Sequence, residues 1–359
     1  MVSRDEVLKA LEQVIDPELR KPVTELDMVR DVVVEGSSVH VTIALTVAGC
    51  PLRNSFEEQV ARTVGSLPGV TGTSLSFDVM TPEERTALSA RLRGGTNERT
   101  KGISVDAATR VIAIASGKGG VGKSSLTVNL AAALAAEGQE VGIVDADVYG
   151  HSIPHMLGTD QRPVLVDRMI VPPVAHGLHL MSIGFFLDEN QPVMWRGPML
   201  HRALEQFLSD VHWPQLDTLL VDMPPGTGDV SISLGQLLPR AEVIVVTTPQ
   251  PLAQEVASRA ATMAQKTSMR LVGVVENMTG GVFGSGGGLA LANELGVDLL
   301  GSIPLDGALR EAGDEGRPVV LTRPDSESAH AIVEVARRVA AMQRERGLGQ
   351  VVRPLPVVS

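Results

Sequence analysis

The 359-residue sequence contains one cysteine, Cys50, so no disulfide can form within the chain. Such low cysteine usage is typical of a reducing compartment, and we expect a cytoplasmic protein. Aromatic residues are also scarce, at 3% of the sequence, whereas 43% of the residues are hydrophobic. The predicted core is therefore built mainly of valine, leucine, isoleucine and alanine.

Long apolar runs are missing as well, since no stretch approaches the roughly 18 consecutive apolar residues that predict a membrane-spanning helix. The first residues, MVSRDEVLKALEQVIDPEL, are charged throughout and lack the apolar centre of a signal peptide. The last helical pattern mixes charges of both signs, which argues against a membrane anchor. The formal net charge is −11, whereas non-specific nucleic-acid binding needs a basic face. We therefore expect neither a membrane nor a nucleic acid as partner, although a local basic patch is compatible with this total.

Residues 111–125, VIAIASGKGGVGKSS, read as a β-branched apolar strand, a glycine-rich loop and the start of a helix. They match the P-loop pattern G-x-x-x-x-G-K-[ST]. Glycines allow backbone N–H groups to surround a phosphate, and the helix N-terminus points its positive dipole end at the same anion. The stretch therefore predicts a phosphate-binding site for ATP.

The side chains of this loop have predicted roles in ATP chemistry. Lys123 is the expected catalytic lysine that reaches the β- and γ-phosphates, and Ser124 is the expected Mg²⁺ ligand. The alternative is a glycine turn that binds nothing, which the full pattern in its strand–loop–helix context disfavours. The predicted ATP-binding residues of the loop are Gly117, Lys118, Gly119, Gly120, Val121, Gly122, Lys123, Ser124 and Ser125.

Lys118 follows the first glycine of the loop, at a position where an ordinary P-loop requires no lysine. The segment KGGVGKS resembles the deviant Walker A loop of the class that contains MinD, ParA and the nitrogenase iron protein. In that class the early lysine crosses a dimer interface to the partner's nucleotide. The resemblance thus implies a homodimer and a catalytic role for Lys118; the alternative is a solvated loop lysine.

Two further apolar strands end in carboxylates: GIVDAD supplies Asp145 and Asp147, and LLVD supplies Asp222. We predict Asp145 and Asp222 as Mg²⁺ ligands. The resemblance to the deviant Walker A class implies that Asp147 orients the attacking water; alternatively, one of the first two aspartates only caps the next turn. The same resemblance assigns recognition of the adenine edge to Asn277, for which the alternative is a turn residue at a strand end.

The first 92 residues predict a small α/β unit. Their patterns indicate an amphipathic helix over 3–15, two short strands, a helix over about 52–66 and another strand. The pieces DPEL, LDMVRDV and GCP resemble the small PaaD/SufT-type domain of iron–sulfur assembly. Cys50 lies just before a predicted helix, whose dipole lowers the pKa of a thiol and favours the metal-binding thiolate. It is a candidate iron–sulfur or thiol site; the alternative is a small buried cysteine.

The rest of the sequence predicts a larger α/β domain. The polar, glycine-containing residues 93–108 form the predicted linker between a domain at 1–92 and a second domain at 109–348. Strands alternate with helices throughout this second domain, and residues 349–359 form a tail. We expect a doubly wound, mostly parallel P-loop sheet with its ligand at the carboxyl ends of the strands.

The pieces DADVYG, VMWRGPM, VDMPPGTGD and VENM complete a resemblance to the Mrp/ApbC-type iron–sulfur cluster carrier ATPases with a fused N-terminal domain. This resemblance implies slow ATP hydrolysis, Mg²⁺ as cofactor, a homodimer, and transfer of clusters to apoprotein clients. The family usually carries a C-x-x-C pair soon after the ENM element, and two such pairs in a dimer hold one bridging cluster. This chain reads ENMTGGVFGSGGG there and has no cysteine.

Without this cysteine pair, the sequence leaves open whether the protein binds a cluster. One cysteine per chain gives a homodimer a single pair of thiolates, whereas an iron–sulfur cluster is ordinarily held by two such pairs. One alternative is a cluster held through Cys50 with outside thiols; another is an ATP-driven maturation factor that holds no cluster itself. A ParA/MinD-like positioning switch is disfavoured by the acidic charge, and a thiol catalyst without cluster chemistry is a further alternative.

Overall fold

The computed structural model describes residues 2–46, 53–92, 105–148, 150–167, 169–186, 197–226 and 228–342. These residues form a three-stranded sheet, an eight-stranded sheet and a separate two-stranded ribbon. Within the same ranges, no helix combines the length and the apolar character that crossing a membrane requires.

The three-stranded sheet belongs to an N-terminal unit that ends at residue 92. Its elements are α1 (Arg4–Leu11), β1 (Val29–Glu35), β2 (Ser38–Leu45), α2 (Arg53–Thr63), β3 (Gly72–Val79) and α3 (Pro82–Leu92). β1 and β2 form an antiparallel hairpin, and β3 pairs with β2 in parallel. α1 begins in a capping box, in which Ser3 and Glu6 satisfy each other's backbone N–H groups. The sequence patterns predict these elements apart from α3.

The loop after α1 holds two carboxyl groups in a confined space. Asp16 Oδ1 accepts hydrogen bonds of 2.9 Å from the backbone N–H groups of Glu18 and Leu19. Burial, and after it the neighbouring Asp16 charge, raises the pKa of Glu18 to about 7. Burial also raises the pKa of Asp16, against the pull of those two backbone hydrogen bonds. The ionised form of this loop is therefore unfavourable in the folded unit.

We expect the folded chain to lose stability as the pH rises from about 4.5 to about 7. Unfolded Glu18 ionises at its ordinary value of 4.5, whereas the folded residue keeps its proton up to about 7, so deprotonation in this window favours unfolding. Glu18→Gln should therefore lose less stability than wild type between about pH 5 and about pH 8, measured as urea midpoints. The exposed Glu35→Gln should follow wild type. Equal pH dependence in Glu18→Gln and wild type would contradict this expectation.

The eight-stranded sheet and the ribbon form a C-terminal unit. Its strands are β4 (Arg110–Ser116), β5 (Val141–Asp145), β6 (Val164–Val166), β7 (Met169–Val171), β8 (Val174–Ala175), β9 (Leu178–Ser182), β10 (Thr218–Asp222), β11 (Glu242–Thr247), β12 (Arg270–Thr279) and β13 (Asp298–Pro304). Its helices are α4 (Lys123–Ala136), α5 (Ile153–Met156), α6 (Gly197–Ser209), α7 (Asp229–Leu237), α8 (Pro251–Lys266), α9 (Gly287–Leu295), α10 (Gly307–Asp314), α11 (Val319–Thr322) and α12 (Glu327–Ala341).

The large sheet has the strand order β13-β12-β11-β4-β10-β5-β9-β8. All its neighbouring strands are parallel except β8 and β9. The prediction of a doubly wound, mostly parallel sheet preceded by a small α/β unit is therefore confirmed. β6 and β7 pair with each other as the antiparallel ribbon, and a single parallel bridge joins Ile170 of β7 to Val211.

Apolar clusters cover both faces of the large sheet. Along β10, Leu219 and Val221 face one cluster with residues of α6 and α8, and Leu220 faces the other with residues of α4 and α12. Strands buried on both faces read as continuous apolar runs, which is why the sequence predicts them well. β4, β10 and β5 are adjacent at the centre of the sheet. Their carboxyl ends bring Asp145 and Asp222 next to the glycine loop.

Candidate functional site

The glycine loop between β4 and α4 has a shape that side chains would obstruct. Gly117 packs on the backbone of α8, where a Cβ atom would lie 2.2 Å from the carbonyl carbon of Val256. Gly120 and Gly122 have φ angles of 77° and 81°, in the left-handed region that glycine occupies without a steric penalty. α4 begins at Lys123, so its unpaired N–H groups and positive dipole end face the loop. This geometry suits an anion at a helix N-terminus.

Side chains of α4 converge on Asp222, the last residue of β10. Asp222 Oδ2 lies 2.6 Å from Lys123 Nζ and accepts a 2.6 Å hydrogen bond from Ser124 Oγ. Its Oδ1 atom accepts a 2.8 Å hydrogen bond from Thr127 Oγ1, one turn further along α4. Asp222 is 0% exposed, so these three partners compensate the burial of its charge. The adjacent hydroxyl and carboxylate are hard oxygen donors of the kind that Mg²⁺ binds.

Asp145 lies opposite Asp222 in the register of β5 and β10. Its Oδ2 atom accepts a 2.9 Å hydrogen bond from Ser182 Oγ, and its Oδ1 atom accepts one of 3.2 Å from the backbone N–H of Asp147. Burial, followed by the charge of Asp222, raises the pKa of Asp145 to about 8. A divalent cation beside this pair would reverse that shift, because it favours the charged form of both carboxyl groups. The donor set and its electrostatics therefore fit the predicted Mg²⁺ site.

Asp147 is a second carboxylate close to the same lysine. Its Oδ2 atom lies 3.5 Å from Lys123 Nζ, and its Oδ1 atom accepts a 3.1 Å hydrogen bond from the backbone N–H of Gly150. Asp147 thus caps the turn, as one of the alternatives from the sequence predicts, and also contacts the lysine of the site, while its water-orienting role stays a prediction. Lys123, which is 6% exposed, lies between the carboxylates of Asp147 and Asp222.

Lys118 lies at the exposed rim of the loop. Its carbonyl oxygen accepts a 3.1 Å hydrogen bond from Ser116 Oγ, and the Ser116 carbonyl accepts one of 2.8 Å from the backbone N–H of Gly226. These two bonds join the loop to the segment that follows β10. The backbone of Lys118 is therefore held in place while its side chain is accessible from outside the chain.

Asn277 lies under the glycine loop, near the end of β12. Its Nδ2 atom donates a 2.8 Å hydrogen bond to the carbonyl of Val121, and a Cβ atom on Gly122 would lie 2.1 Å from Nδ2. The residue is 3% exposed, and its Oδ1 atom has no hydrogen-bond partner among the described residues. Asn277 therefore holds the loop, and its unpaired oxygen is the kind of acceptor that the amino group of adenine requires.

Replacing Asn277 with alanine is expected to weaken ATP binding by about 5- to 10-fold, because the loop loses one net hydrogen bond of about 1 kcal/mol. If Asn277 also reads the base, the preference for ATP over GTP should fall in the same variant, since GTP has a carbonyl where ATP has its amino group. Titrations with both nucleotides separate the two roles. Asn293→Ala, an exposed asparagine on α9, is the matched control and should bind as wild type does. Unchanged ATP affinity in Asn277→Ala would contradict both roles.

The structure adds two hydroxyl residues that the sequence analysis does not predict. Thr127 and Ser182 each donate to an aspartate of the site, as described above. Thr127 lies four residues after Lys123, and this helical spacing puts both on one face, so the signal was present in the sequence. Ser182 comes from a strand distant in sequence, and no local pattern connects it with Asp145.

The predicted thiol site, Cys50, lies outside the described residues. Across the described ranges, no group of three or more histidine, cysteine, aspartate or glutamate side chains could hold a metal ion. The structure thus gives a geometry for the nucleotide part of the predicted site. For the iron–sulfur part it gives none.

A doubly wound parallel sheet, a glycine loop at a helix N-terminus and an aspartate at the end of the neighbouring strand define a P-loop nucleotide-binding protein. The chain belongs to the family of NUBPL iron-transfer P-loop NTPases, which it matches over residues 107–340. Residues 4–76 match a second family, described as iron–sulfur cluster assembly protein. The resemblance predicted from the sequence is therefore confirmed for both parts of the chain.

Curated relatives resemble the chain over nearly its full length. An iron–sulfur cluster carrier protein of Mycobacterium tuberculosis is 52% identical and covers 94% of this chain and 93% of its own. A protein of the same name from Synechocystis is 42% identical and covers 95% and 98% of the two chains. The Bacillus subtilis protein of that name is 40% identical and covers 85% and 89%.

Solved structures resemble the C-terminal part of the chain. A nucleotide-binding protein from Archaeoglobus fulgidus, in complex with ADP, is 36% identical with a TM-score of 0.52, and covers 58% of this chain and 86% of its own. The septum site-determining protein MinD from Pyrococcus horikoshii, complexed with Mg-ADP, is 25% identical with a TM-score of 0.52 and covers 65% and 96%. Both proteins bind a nucleotide, in agreement with the geometry of the glycine loop.

Proposed function

We propose that this protein is an ATP-binding and ATP-hydrolysing iron–sulfur cluster carrier or assembly factor that delivers clusters to apoproteins. The observation that carries this proposal is the contact of Lys123 and Ser124 with Asp222 behind a glycine loop. The family match and the names of the relatives supply the iron–sulfur part. The matches over residues 4–76 and 107–340 also support domains at 1–92 and 109–348, with a linker at 93–108. The single cysteine supports a reducing cytoplasm as the location.

In this proposal the loop residues bind and orient ATP. Backbone N–H groups over residues 117–125 surround the phosphates, and Lys123 leaves its carboxylate partners to bind the β- and γ-phosphates. Ser124, Asp145 and Asp222 would hold Mg²⁺, which neutralises charge on the phosphate oxygens when it is bound. Asp147, next to the phosphate-binding lysine, orients the attacking water. Turnover is slow until the site is completed, as in other switch NTPases.

We propose a homodimer in which Lys118 completes the partner's site. Its side chain is exposed while its backbone is fixed by Ser116, so a second copy facing the loop can receive the ammonium group. A positive charge supplied in trans stabilises the charge that develops on the transferred phosphoryl group. ATP hydrolysis would then be coupled to the arrangement of the two copies.

A second candidate function is favoured by the cysteine count. Cys50 is the one thiol of the chain, so a dimer alone offers a single pair of thiolate ligands. Either outside or client thiols complete the cluster, or the chain is a maturation ATPase that holds no cluster itself. Both functions share the same ATP site and the same apoprotein clients.

Anaerobic reconstitution with iron and sulfide separates these two functions. Iron counting and visible absorption would be measured on wild type and on Cys50→Ala, with ATP hydrolysis recorded on the same samples. A cluster that forms on wild type and is lost in Cys50→Ala would identify Cys50 as a ligand and support the carrier. Absence of a cluster from both, with hydrolysis intact, would favour the maturation ATPase over a carrier that holds its cluster without thiols from outside the dimer.

A further inference from the structure

The β6–β7 ribbon divides its side chains between the two units. Val166, Met169 and Val171 are at most 3% exposed and belong to the apolar core of the N-terminal unit. Ile170, between the last two, packs against the core of the large sheet. Leu165 is 60% exposed. Because successive side chains of a strand point to opposite faces, β7 is shared by two cores.

The N-terminal unit contacts the ribbon mainly through α3, which packs against β6. Leu88 and Ser89 are the buried residues of this helix. A helix with so little apolar surface of its own depends on tertiary contacts for its stability. A second contact joins the units, since Arg20 lies 3.3 Å from Glu140 just before β5. Both side chains of this ion pair are partly exposed, so it adds little and the apolar ribbon is the main attachment.

The other side of the ribbon is bound to the C-terminal unit by its backbone. The N–H of Ile170 donates to the carbonyl of Asp210 at 3.0 Å, and the N–H of His212 donates to the carbonyl of Ile170 at 2.7 Å. These residues directly follow α6. The backbone of β7 is therefore paired with the C-terminal unit along one edge, while side chains of the ribbon fill part of the N-terminal core.

The ribbon lies on a part of the chain that begins and ends at the nucleotide site. β5 ends at Asp145, and the chain then passes through α5, β6, β7 and β8 before it returns along β9, which ends at Ser182. Ser182 Oγ donates a 2.9 Å hydrogen bond to Asp145 Oδ2. The two ends of this segment between β5 and β9 therefore meet at Asp145, one of the proposed Mg²⁺ ligands. A ligand that contacts Asp145 or Asp147 therefore contacts the start of the segment that carries the ribbon.

We propose that the ribbon is a docking surface whose partner is the N-terminal unit of this chain, and that Mg-ATP at the site strengthens the docking. The second part rests on the proposed function, because it requires that Mg-ATP binds beside Asp145. A bound ligand that orders the start of the segment between β5 and β9 reduces the loss of conformational entropy when the N-terminal unit docks. By linkage, docking of the N-terminal unit raises the affinity for Mg-ATP by the same factor.

Hydrogen exchange on the full chain tests the docking surface. Met169→Asp places a charge where the ribbon enters the apolar core of the N-terminal unit, and it should speed exchange of the α3 amides by about tenfold or more. Leu165→Asp places the same charge on the exposed face of the ribbon and should leave α3 unchanged. Exchange of β2, the central strand of the small sheet, reports whether the N-terminal unit itself is folded, and Met169→Ala is the milder variant if it is not. Unchanged α3 exchange in both Met169 variants would overturn the docking surface.

Addition of Mg-ATP tests the coupling in the same samples. In wild type and Leu165→Asp, α3 should exchange more slowly with Mg-ATP, whereas Met169→Asp should show no such response and should bind Mg-ATP more weakly. Calorimetric titration records binding separately. Binding without any slowing of α3 exchange would overturn the coupling and leave the proposed function intact. Absence of Mg-ATP binding to wild type would overturn the proposed function, and the coupling with it.

Discussion

Replacing Lys123 with alanine is expected to lower kcat/KM for ATP by about 100-fold or more. A lysine donates charge-assisted hydrogen bonds to phosphate, each worth about 1.5–3 kcal/mol, and about 1.4 kcal/mol corresponds to tenfold in rate. The same change removes the cation between Asp147 and Asp222, so a buried carboxylate loses its partner. We therefore also expect a lower unfolding midpoint without nucleotide, because loss of one member of a buried pair costs about 3–5 kcal/mol.

ATP hydrolysis and urea unfolding, measured on the same preparations, check both parts of this expectation. Lys266→Ala removes an exposed lysine at the end of α8 and should retain wild-type activity and stability. Circular dichroism shows whether the Lys123 variant is folded. A folded Lys123→Ala protein with undiminished hydrolysis would mean that ATP is hydrolysed somewhere other than the glycine loop.

Replacing Lys118 with alanine should reduce turnover while ATP binding stays close to that of wild type. The residue is exposed at the rim and makes no contact with Asp222 within the described chain, so its own site keeps its shape. A cation supplied in trans to a phosphoryl group contributes about 1,000-fold or more to kcat, which sets the expected loss. Separate measurements of ATP dissociation and of kcat distinguish this result from a binding defect.

Mixing the two lysine variants tests whether Lys118 acts across a dimer. In a heterodimer, the Lys118→Ala copy keeps its Lys123 and receives Lys118 from the Lys123→Ala copy, so one site is complete. Random pairing of equal amounts should restore about a quarter of the wild-type activity per chain. Recovery should depend on the total protein concentration, because the copies must associate. No recovery, in a mixture shown to form heterodimers, would place the action of Lys118 within its own chain.

The central strands could be predicted from the sequence because each is buried on both faces and reads as an apolar run. α3 could not, since its few buried side chains are explained by contact with β6, which is distant in sequence. The β6–β7 ribbon could not be predicted either. Its alternating side chains belong to two different cores, and no local sequence pattern indicates which side chain belongs to which core. Both elements depend on contacts between residues that are far apart in the sequence.

The same distinction applies to the site. Lys123 and Ser124 belong to a continuous motif whose chemistry is local, and the structure places both on Asp222. Ser182 reaches the site only because β9 lies beside β5, so its hydrogen bond to Asp145 depends on the sheet order. The roles assigned to the site residues stay predictions until the variants are measured.

Cluster delivery is the most direct test of the central claim that ATP hydrolysis at this site serves iron–sulfur assembly. An apoprotein acceptor would be incubated anaerobically with iron, sulfide, a thiol and ATP, and formation of its cluster would be followed by absorption and by regained activity. We predict that wild-type protein accelerates this formation with ATP, and that Lys123→Ala does not. Equal rates with and without the wild-type protein, in samples that hydrolyse ATP, would contradict the claim.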